Sequence, residues 1–527
     1  MSNRPILIAG HWKQADVAGS FRAENPATGQ AFGDEYPISG WSDCDAALNA
    51  AVEAARQLRA VRPGQLADFL TRYAARIEAR AAEIVETAHQ ETALPKSPRL
   101  ADIELPRTIG QLRQAAAATL EGSWALPTID RKLNIRSYHA ALGPIFILGP
   151  NNFPLAFNAI SGGDFAAAIA AGNPVIAKAH PSHPGTTRLL GEECAAAVKD
   201  SGLPAATVQL IYQIAPADGL RMVADERIGA TSFTGSRNGG LKLKSAADAA
   251  GKPIYLEMSS LNPVVILPGV LAERGEKLAD EFSDSCLAAS GQFCTNPGLV
   301  LLIGDANTEQ FIAGVKKRFE ARTPGVLLSS GVARALETSL GTLSRGGATI
   351  LTGGTAVAGA VNRFANTLLR VSGDQFLANP HALQTEAFGN ASLFVVARDL
   401  AQVQAVIGKL EGNLTACIYS DTKGSDDAAY AALTPELRSR VGRLLNDKMP
   451  TGVAVSAAMN HGGPFPATGH PGFTAVGIPA SLRRFSMLQC YDNVRAGRLP
   501  AALQDTNPNG RMWRLIDGAW SQGNITL

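Results

Sequence analysis

The sequence predicts an α/β fold: a doubly wound parallel sheet, a second α/β unit after it, and an extended arm outside both. Three observations predict it. Short apolar runs alternate with Ala-rich stretches of helical spacing from about 144 to 257, a second alternation begins at 263, and RKLNIRSYHAAL (131–142) has strand character without belonging to either core. Strand–helix alternation forces right-handed crossovers, and such a sheet binds ligands at the carboxyl ends of its strands.

In chain order, DAALNAAVEAARQLRA and ADFLTRYAARIEARAAEIVETAHQETAL read as amphipathic helices, because apolar residues recur on one face. PIFILG (144–149), PVIAK (174–178), TVQLIY (207–212), GATSFTG (229–235) and PIYLE (253–257) are apolar runs bounded by turn residues, as buried parallel strands require. Between them AFNAISGGDFAAAIAAG, GTTRLLGEECAAAVKD, ADGLRMVAD and SRNGGLKLKSAADAAG are expected to be helices. The second unit is read as PVVILP (263–268), a helix from about 271 to 290, GLVLLI (298–303), a helix near 308–322, then NTLLRVSG, NASLFVVAR, a helix opened by Asp399, LTACIYS and VGRLLND. After about 465 the chain is rich in Pro, Gly and Arg.

At 527 residues and 46% hydrophobic content the chain buries more than one core. Its 48 Lys and Arg balance 46 Asp and Glu, and no basic run or basic-aromatic cluster suggests a nucleic-acid surface. No run of about 18 apolar residues occurs, and the first segment, MSNRPILIAGHWKQ, lacks a signal-peptide core; a cytoplasmic protein with a small-molecule partner and no membrane is expected. The six cysteines are scattered, without a C-x-x-C pair or a Cys/His cluster at metal-ligand spacing, so neither a metal site nor a disulfide framework is expected.

Several residues stand where chemistry is done. FTGSRNGG ends a strand and opens a helix: Gly235 and Ser236 at the turn and Gly240 one turn in could receive a phosphate on backbone amides, although the same pattern serves as an ordinary tight turn. Lys178 ends the second strand within reach of a nucleotide ribose or phosphate, and AHPSHP after it supplies no carboxylate for ribose hydroxyls, which favours NADP over NAD. Glu257 closes the fifth strand at the same end. Cys294, in SGQFCTN with polar neighbours, is unlike a packed core cysteine, whereas Cys286 is; Gly291 is a plausible helix stop.

GPNNFPLAF, VIAKAHPSHP, FTGS with Gly240, YLEMSSLNPV, SGQFCTNPG and QTEAFGN are six motifs that, in this order and spacing, resemble those of the aldehyde dehydrogenase superfamily over nearly the whole chain. EMSSLNPV, GQFCTNPGLV and AMNHGGPFPAT resemble the subgroup of α-ketoglutarate semialdehyde (2,5-dioxovalerate) dehydrogenases and an NADP-dependent fatty aldehyde dehydrogenase. Departures are Pro181 where the family carries a glutamate, FGN for FGP, and SMLQCYDN for a Pro-containing strand.

The resemblance implies an aldehyde dehydrogenase-like fold: a dinucleotide-binding domain from 1–123 and 143–258, a catalytic domain from 259–465, and an oligomerisation arm and tail from 124–142 and 466–527, giving a homodimer or homotetramer. It implies NAD(P)-dependent oxidation of an aldehyde, with Cys294 as nucleophile, Asn152 and the Cys294 amide as oxyanion donors, and Glu257 as base for hydrolysis of the thioester. Glu386 would bind the nicotinamide ribose, Phe388 would pack by that ring, and Lys178 would hold the adenosine ribose or its 2′-phosphate. The expected substrate is 2,5-dioxovalerate, giving 2-oxoglutarate. Alternatives are a fatty or broad-specificity aldehyde, transfer of the acyl group to coenzyme A instead of water, and a non-catalytic binding protein.

Overall fold

The computed structural model describes residues 3–526. Five parallel strands, Ile254–Glu257, Ala230–Thr234, Ile145–Leu148, Val175–Lys178 and Val208–Ile211, lie side by side in that order, and the antiparallel hairpin Ile6–Ile8/His11–Lys13 extends the sheet beyond Val208–Ile211. Numbered along the chain, the five read fifth, fourth, first, second, third. The progression therefore reverses at Ile145–Leu148, and the carboxyl ends on either side of this strand open the crevice in which doubly wound sheets bind ligands. Each strand is shorter than its sequence run by one or two residues: Pro and Gly at the ends of four runs leave the ladder, and Thr207 and Tyr212 flank Val208–Ile211 outside it.

The crossover after Ile145–Leu148 departs from expectation. Only Gly163–Ala170 is helical; residues 155–162 fold as buried turns. Asn158 donates its amide to Pro154 O and Thr187 Oγ1 at 2.9 Å each, and Ser161 Oγ donates to Leu155 O at 2.8 Å, so local side chains satisfy the backbone in place of a helix.

A second seven-stranded sheet runs Thr349–Thr352, Thr367–Ser372, Ala391–Ala397, Leu299–Ile303, Val264–Ile266, Asn413–Tyr419, Val441–Asn446, parallel except for the first. Both faces are covered. Leu299 and Leu301 enter one core, while Val300 and Leu302 enter the other with Phe394 and Phe282, as side-chain alternation along a strand demands. Burying each such side chain contributes about 1.5–3 kcal/mol. Asp399 opens its helix as expected, accepting the Gln402 amide at 2.8 Å.

The helix before Cys294 spans Pro268–Leu287, and Gly291 is not its stop. Ala289 and Ser290, at φ +46° and +57°, turn the chain in the left-handed region before Gly291 is reached. Gly291 serves another need: a Cβ there would lie 2.0 Å from Gly389 O, so its absence lets the cysteine loop touch the Glu386–Phe388 loop backbone to backbone.

RKLNIRSYHAAL contributes Ile135–Ala141 to a five-stranded sheet ordered Ser486–Asp492, Ile135–Ala141, Thr128–Asp130, Arg514–Ile516, Ala519–Ser521. SMLQCYDN, without its expected proline, forms a full strand antiparallel to the arm, Ser486 opposite Ala141 and Asp492 opposite Ile135. The tail after 465 is thus largely ordered by pairing with 128–141.

Candidate active site

A cleft of about 670 Å³ opens at the strand ends, lined by Leu148, Lys178, Thr234 and Glu257, each the last residue of its strand. Asn152, Gly235, Ser236, Cys294, Glu386 and Phe388 also line it. Gly240 does not. Its amide donates within the helix to Ser236 O at 2.9 Å, and a Cβ there would lie 2.8 Å from Met258 Sδ, so it is a packing glycine; Gly239 borders the cleft instead.

Polar side chains hold the cysteine loop. Asn262 donates its amide to Cys294 O and Asn296 O, both at 2.9 Å, and Asn152 donates one amide hydrogen to Gln292 O at 3.0 Å. The second Asn152 amide hydrogen has no partner among the described residues. Gln292 in turn accepts the Leu328 amide at 2.8 Å and donates to Ala289 O at 3.0 Å.

Cys294 Sγ lies 3.4 Å from His461 Nε2, and the same nitrogen lies 2.9 Å from Glu257 Oε1. His461 and Glu257 are 1% and 2% exposed, so water does not compete for these contacts. Sequence reasoning missed His461; the histidine was visible in AMNHGGPFPAT, but nothing local ties it to a cysteine 167 residues away. The fold ties them: Met258 donates to Ala467 O at 2.8 Å and Gly469 to Leu256 O at 3.1 Å, so the segment after His461 runs along the Glu257 strand. The sequence separates them widely, yet the fold brings the side-chain polar atoms of Glu257, Cys294 and His461 within 4.8 Å of one another.

One nitrogen serving two partners restricts the protons. With hydrogen on Nε2, His461 donates to the Glu257 carboxylate; without it, Nε2 can accept the thiol proton. His461 Nδ1 and Glu257 Oε2 are buried with no partner, so the cluster is not locked in either state. Burial first, and then the Glu257 charge, push the Cys294 thiol well above its ordinary range, while Arg107 and Arg443 act in the opposite direction. Burial and the Glu257 charge both disfavour the thiolate, and a base in contact with the thiol offsets them.

Burial lowers the Lys178 ammonium to about 8, with no carboxylate acting to raise it. His180 lines the cleft beside it and accepts the Ser182 amide on Nδ1 at 3.1 Å, an arrangement that assigns its proton to Nε2. Ser236 Oγ accepts the Gly239 amide at 3.3 Å, capping the helix Arg237–Ala249 with its first turn toward the cleft. Glu386 Oε1 accepts the Ser260 amide at 3.3 Å, and burial raises its carboxyl. A half-buried lysine without an acid, a helix start and a half-buried carboxylate together fit an anionic dinucleotide with ribose hydroxyls.

A thiol against a histidine that in turn meets a carboxylate, at the mouth of a crevice of the kind that binds dinucleotides, is an arrangement that a cysteine-dependent oxidoreductase can use. The chain belongs to the aldehyde dehydrogenase family, whose profile matches residues 12–434, and it is an NAD(P)-dependent aldehyde dehydrogenase. It is 39% identical over 525 residues to α-ketoglutaric semialdehyde dehydrogenase 2 of Azospirillum brasilense, covering 97% of this chain and 98% of the relative. It is 35% identical over 492 residues to α-ketoglutaric semialdehyde dehydrogenase of Acinetobacter baylyi, covering 91% and 92%. Among solved structures, Escherichia coli lactaldehyde dehydrogenase superposes with a TM-score of 0.80 at 21% identity, covering 93% of this chain and 99% of that one, a likeness of fold. Among the described residues no helix is long and apolar enough to cross a membrane.

Proposed function

We propose that the protein oxidises 2,5-dioxovalerate to 2-oxoglutarate with NADP as preferred cofactor. The substrate reading draws on the two semialdehyde dehydrogenases it resembles along nearly their whole length. The observation that carries the mechanism is the contact series Cys294 Sγ, His461 Nε2, Glu257 Oε1.

His461 takes the thiol proton as the Cys294 sulfur forms its bond to the aldehyde carbon, and the carbonyl electron pair moves onto oxygen. The resulting imidazolium faces the Glu257 carboxylate 2.9 Å away, which stabilises it. The oxyanion takes hydrogen bonds from the Asn152 amide and the Cys294 N–H, an arrangement in which loss of one donor typically costs about 3–4 kcal/mol. A nicotinamide dinucleotide in the cleft would supply the hydride acceptor that conversion of the Cys294 adduct to a thioester requires. Glu257 then takes a proton from the attacking water, the carbon–sulfur bond breaks, and the sulfur leaves to recover its proton. Lys178 and His180 would hold the adenosine ribose 2′-phosphate, the first turn of Arg237–Ala249 the pyrophosphate, and Glu386 with Phe388 the nicotinamide ribose and ring. In domain terms, 1–123 with 143–258 binds the dinucleotide, 259–465 carries the cysteine, and 124–142 with 466–527 joins subunits into a homodimer or homotetramer.

The test is a profile of kcat/KM for 2,5-dioxovalerate against neutral aldehydes, with NAD and NADP in parallel. A neutral fatty aldehyde preferred by more than about tenfold, roughly 1.4 kcal/mol in the transition state, sinks the substrate reading. Lys178→Met should raise the KM for NADP about tenfold or more, and that for NAD less, because a charge-assisted contact to phosphate is lost. Equal effects on both cofactors would remove the 2′-phosphate role. His461→Gln should slow iodoacetamide alkylation of Cys294 at pH 7 by at least about tenfold. The deficit should close as pH rises, because a thiol whose pKa is raised ionises by itself only at higher pH. An unaltered pH profile would remove His461 from thiol activation.

A further inference from the structure

Asn152 stands in a stretch without regular structure, and a buried ion pair grips that stretch from both sides. Residues 152–156 lie between the strand Ile145–Leu148 and the helix Gly163–Ala170, outside any ladder or helix. Glu104 Oε1 accepts the Leu155 and Ala156 amides at 2.8 and 3.0 Å. Its other oxygen is ion-paired with Arg99 Nη1, and Arg99 Nη2 donates to Asn152 O at 2.9 Å. Arg99 and Glu104 are 6% and 0% exposed and neither lines the cleft, so these bonds form away from water and from any ligand there.

The pair therefore closes a bracket around the loop. Holding the Asn152 carbonyl holds its peptide plane, and with it the direction in which the side chain leaves Cα; charge-assisted bonds at low dielectric are among the strongest that can do so. The Asn152 amide reaches the cysteine loop, where it donates to Gln292 O. The same guanidinium lies 4.3 Å from the Phe153 ring centre and 5.1 Å from that of Phe293, and the two rings meet edge to face at 5.6 Å. Arg99 thus touches the residue after Asn152 and the residue before Cys294. An apolar pair of like volume would fill this space at little cost in stability, but it could not hold the Asn152 carbonyl and the Leu155 and Ala156 amides.

We propose that Arg99 and Glu104 are positioning residues for oxyanion stabilisation: they set the Asn152 amide against the Cys294 N–H, acting through Asn152 and not on the sulfur. The inference rests on the reading of Asn152 as an oxyanion donor. Its consequence is a loss confined to acylation, because a displacement of about 1 Å in such a donor can cost on the order of 10² in rate while the nucleophile stays intact.

The experiment uses the aldehyde that wild type oxidises fastest. It measures the rate at which reduced cofactor forms in the first turnover, and the rate of Cys294 alkylation by iodoacetamide, a displacement that develops no oxyanion. Arg99→Met combined with Glu104→Gln replaces both charges and leaves neither buried alone; it should slow the first turnover about 10- to 100-fold and alter alkylation by less than about twofold. Asn152→Ala should slow the first turnover by about 10² or more, and adding R99M and E104Q to it should change that rate by less than about threefold, as expected when the pair acts through Asn152. An N152A enzyme at wild-type rate overturns the oxyanion reading and the positioning role with it. With N152A impaired, the positioning role alone is overturned by an undiminished first turnover in R99M/E104Q, by a full additional loss in the triple variant, or by alkylation that falls in step with oxidation. Should R99M/E104Q not fold, Arg99→Lys decides. An ammonium cannot bridge Glu104 and Asn152 O as the guanidinium fork does, so the first turnover should fall at least about fivefold with alkylation retained, and a wild-type first turnover overturns the proposal.

Discussion

Cys294→Ser removes aldehyde oxidation by about 10⁴-fold or more, while NADP still binds. The cysteine is the atom to which the substrate carbon becomes joined, and a serine hydroxyl in the same pocket is a far weaker nucleophile whose proton His461 would have to remove from a much weaker acid. Lys178, Ser236 and Glu386, proposed to hold the dinucleotide, stand on other segments of the cleft wall, so their geometry survives the change. Steady-state formation of NADPH measures the loss, and quenching of protein fluorescence by titrated NADP measures the retained binding. Residual turnover within tenfold of wild type would exclude a covalent mechanism at this sulfur.

Glu257→Gln separates the two halves of the reaction. Acylation should still deliver a burst of one NADPH per competent site, and steady turnover should then fall by about 10²–10⁴, because no base remains for the hydrolytic water. The substitution also acts on the nucleophile. The Glu257 charge is one of the influences that raise the Cys294 thiol, so its removal lowers the thiol pKa and increases the thiolate present at any pH below it. Alkylation of Cys294 in E257Q should therefore be faster than in wild type at pH 7. Rapid mixing followed by spectrophotometry reads the burst. Loss of the burst together with steady turnover would show that the carboxylate is needed chiefly through His461, as the partner of the imidazolium, and not for deacylation.

The α/β alternation was legible in the periodicity of the chain, since the five parallel strands of the first sheet form inside the runs expected of them, whereas its antiparallel hairpin Ile6–Ile8/His11–Lys13 was not anticipated. Legibility failed where local chemistry competes with periodicity. Residues 156–162 look helical by composition, yet Asn158 and Ser161 bond to nearby backbone and Gly162 packs against Phe157, where a Cβ would lie 2.6 Å from Cα. The small strands Arg514–Ile516 and Ala519–Ser521 were overlooked although LIDGAW carries an Asp-Gly turn, whose φ values of +47° and +85° are the two-residue hairpin type. Gly240 was misjudged as a cleft residue because motif spacing cannot distinguish a phosphate contact from the close approach of a helix to Met258.

By itself the sequence determined the alternation that makes both sheets and set Glu257 at a strand end and Cys294 among polar neighbours, because side-chain periodicity and turn chemistry act over a few neighbouring residues; Asn152 and Glu386 were picked out only by the resemblance of their motifs to the family's. Only the tertiary structure decided that His461 shares one nitrogen between the thiol and Glu257, and that Arg107 Nη2 and Arg443 Nε are buried without a partner among the described residues. Such contacts join segments from opposite ends of the chain. Their distances are set by how the two sheets pack and by which buried polar atoms that packing leaves unpaired, quantities that no local pattern of residues records.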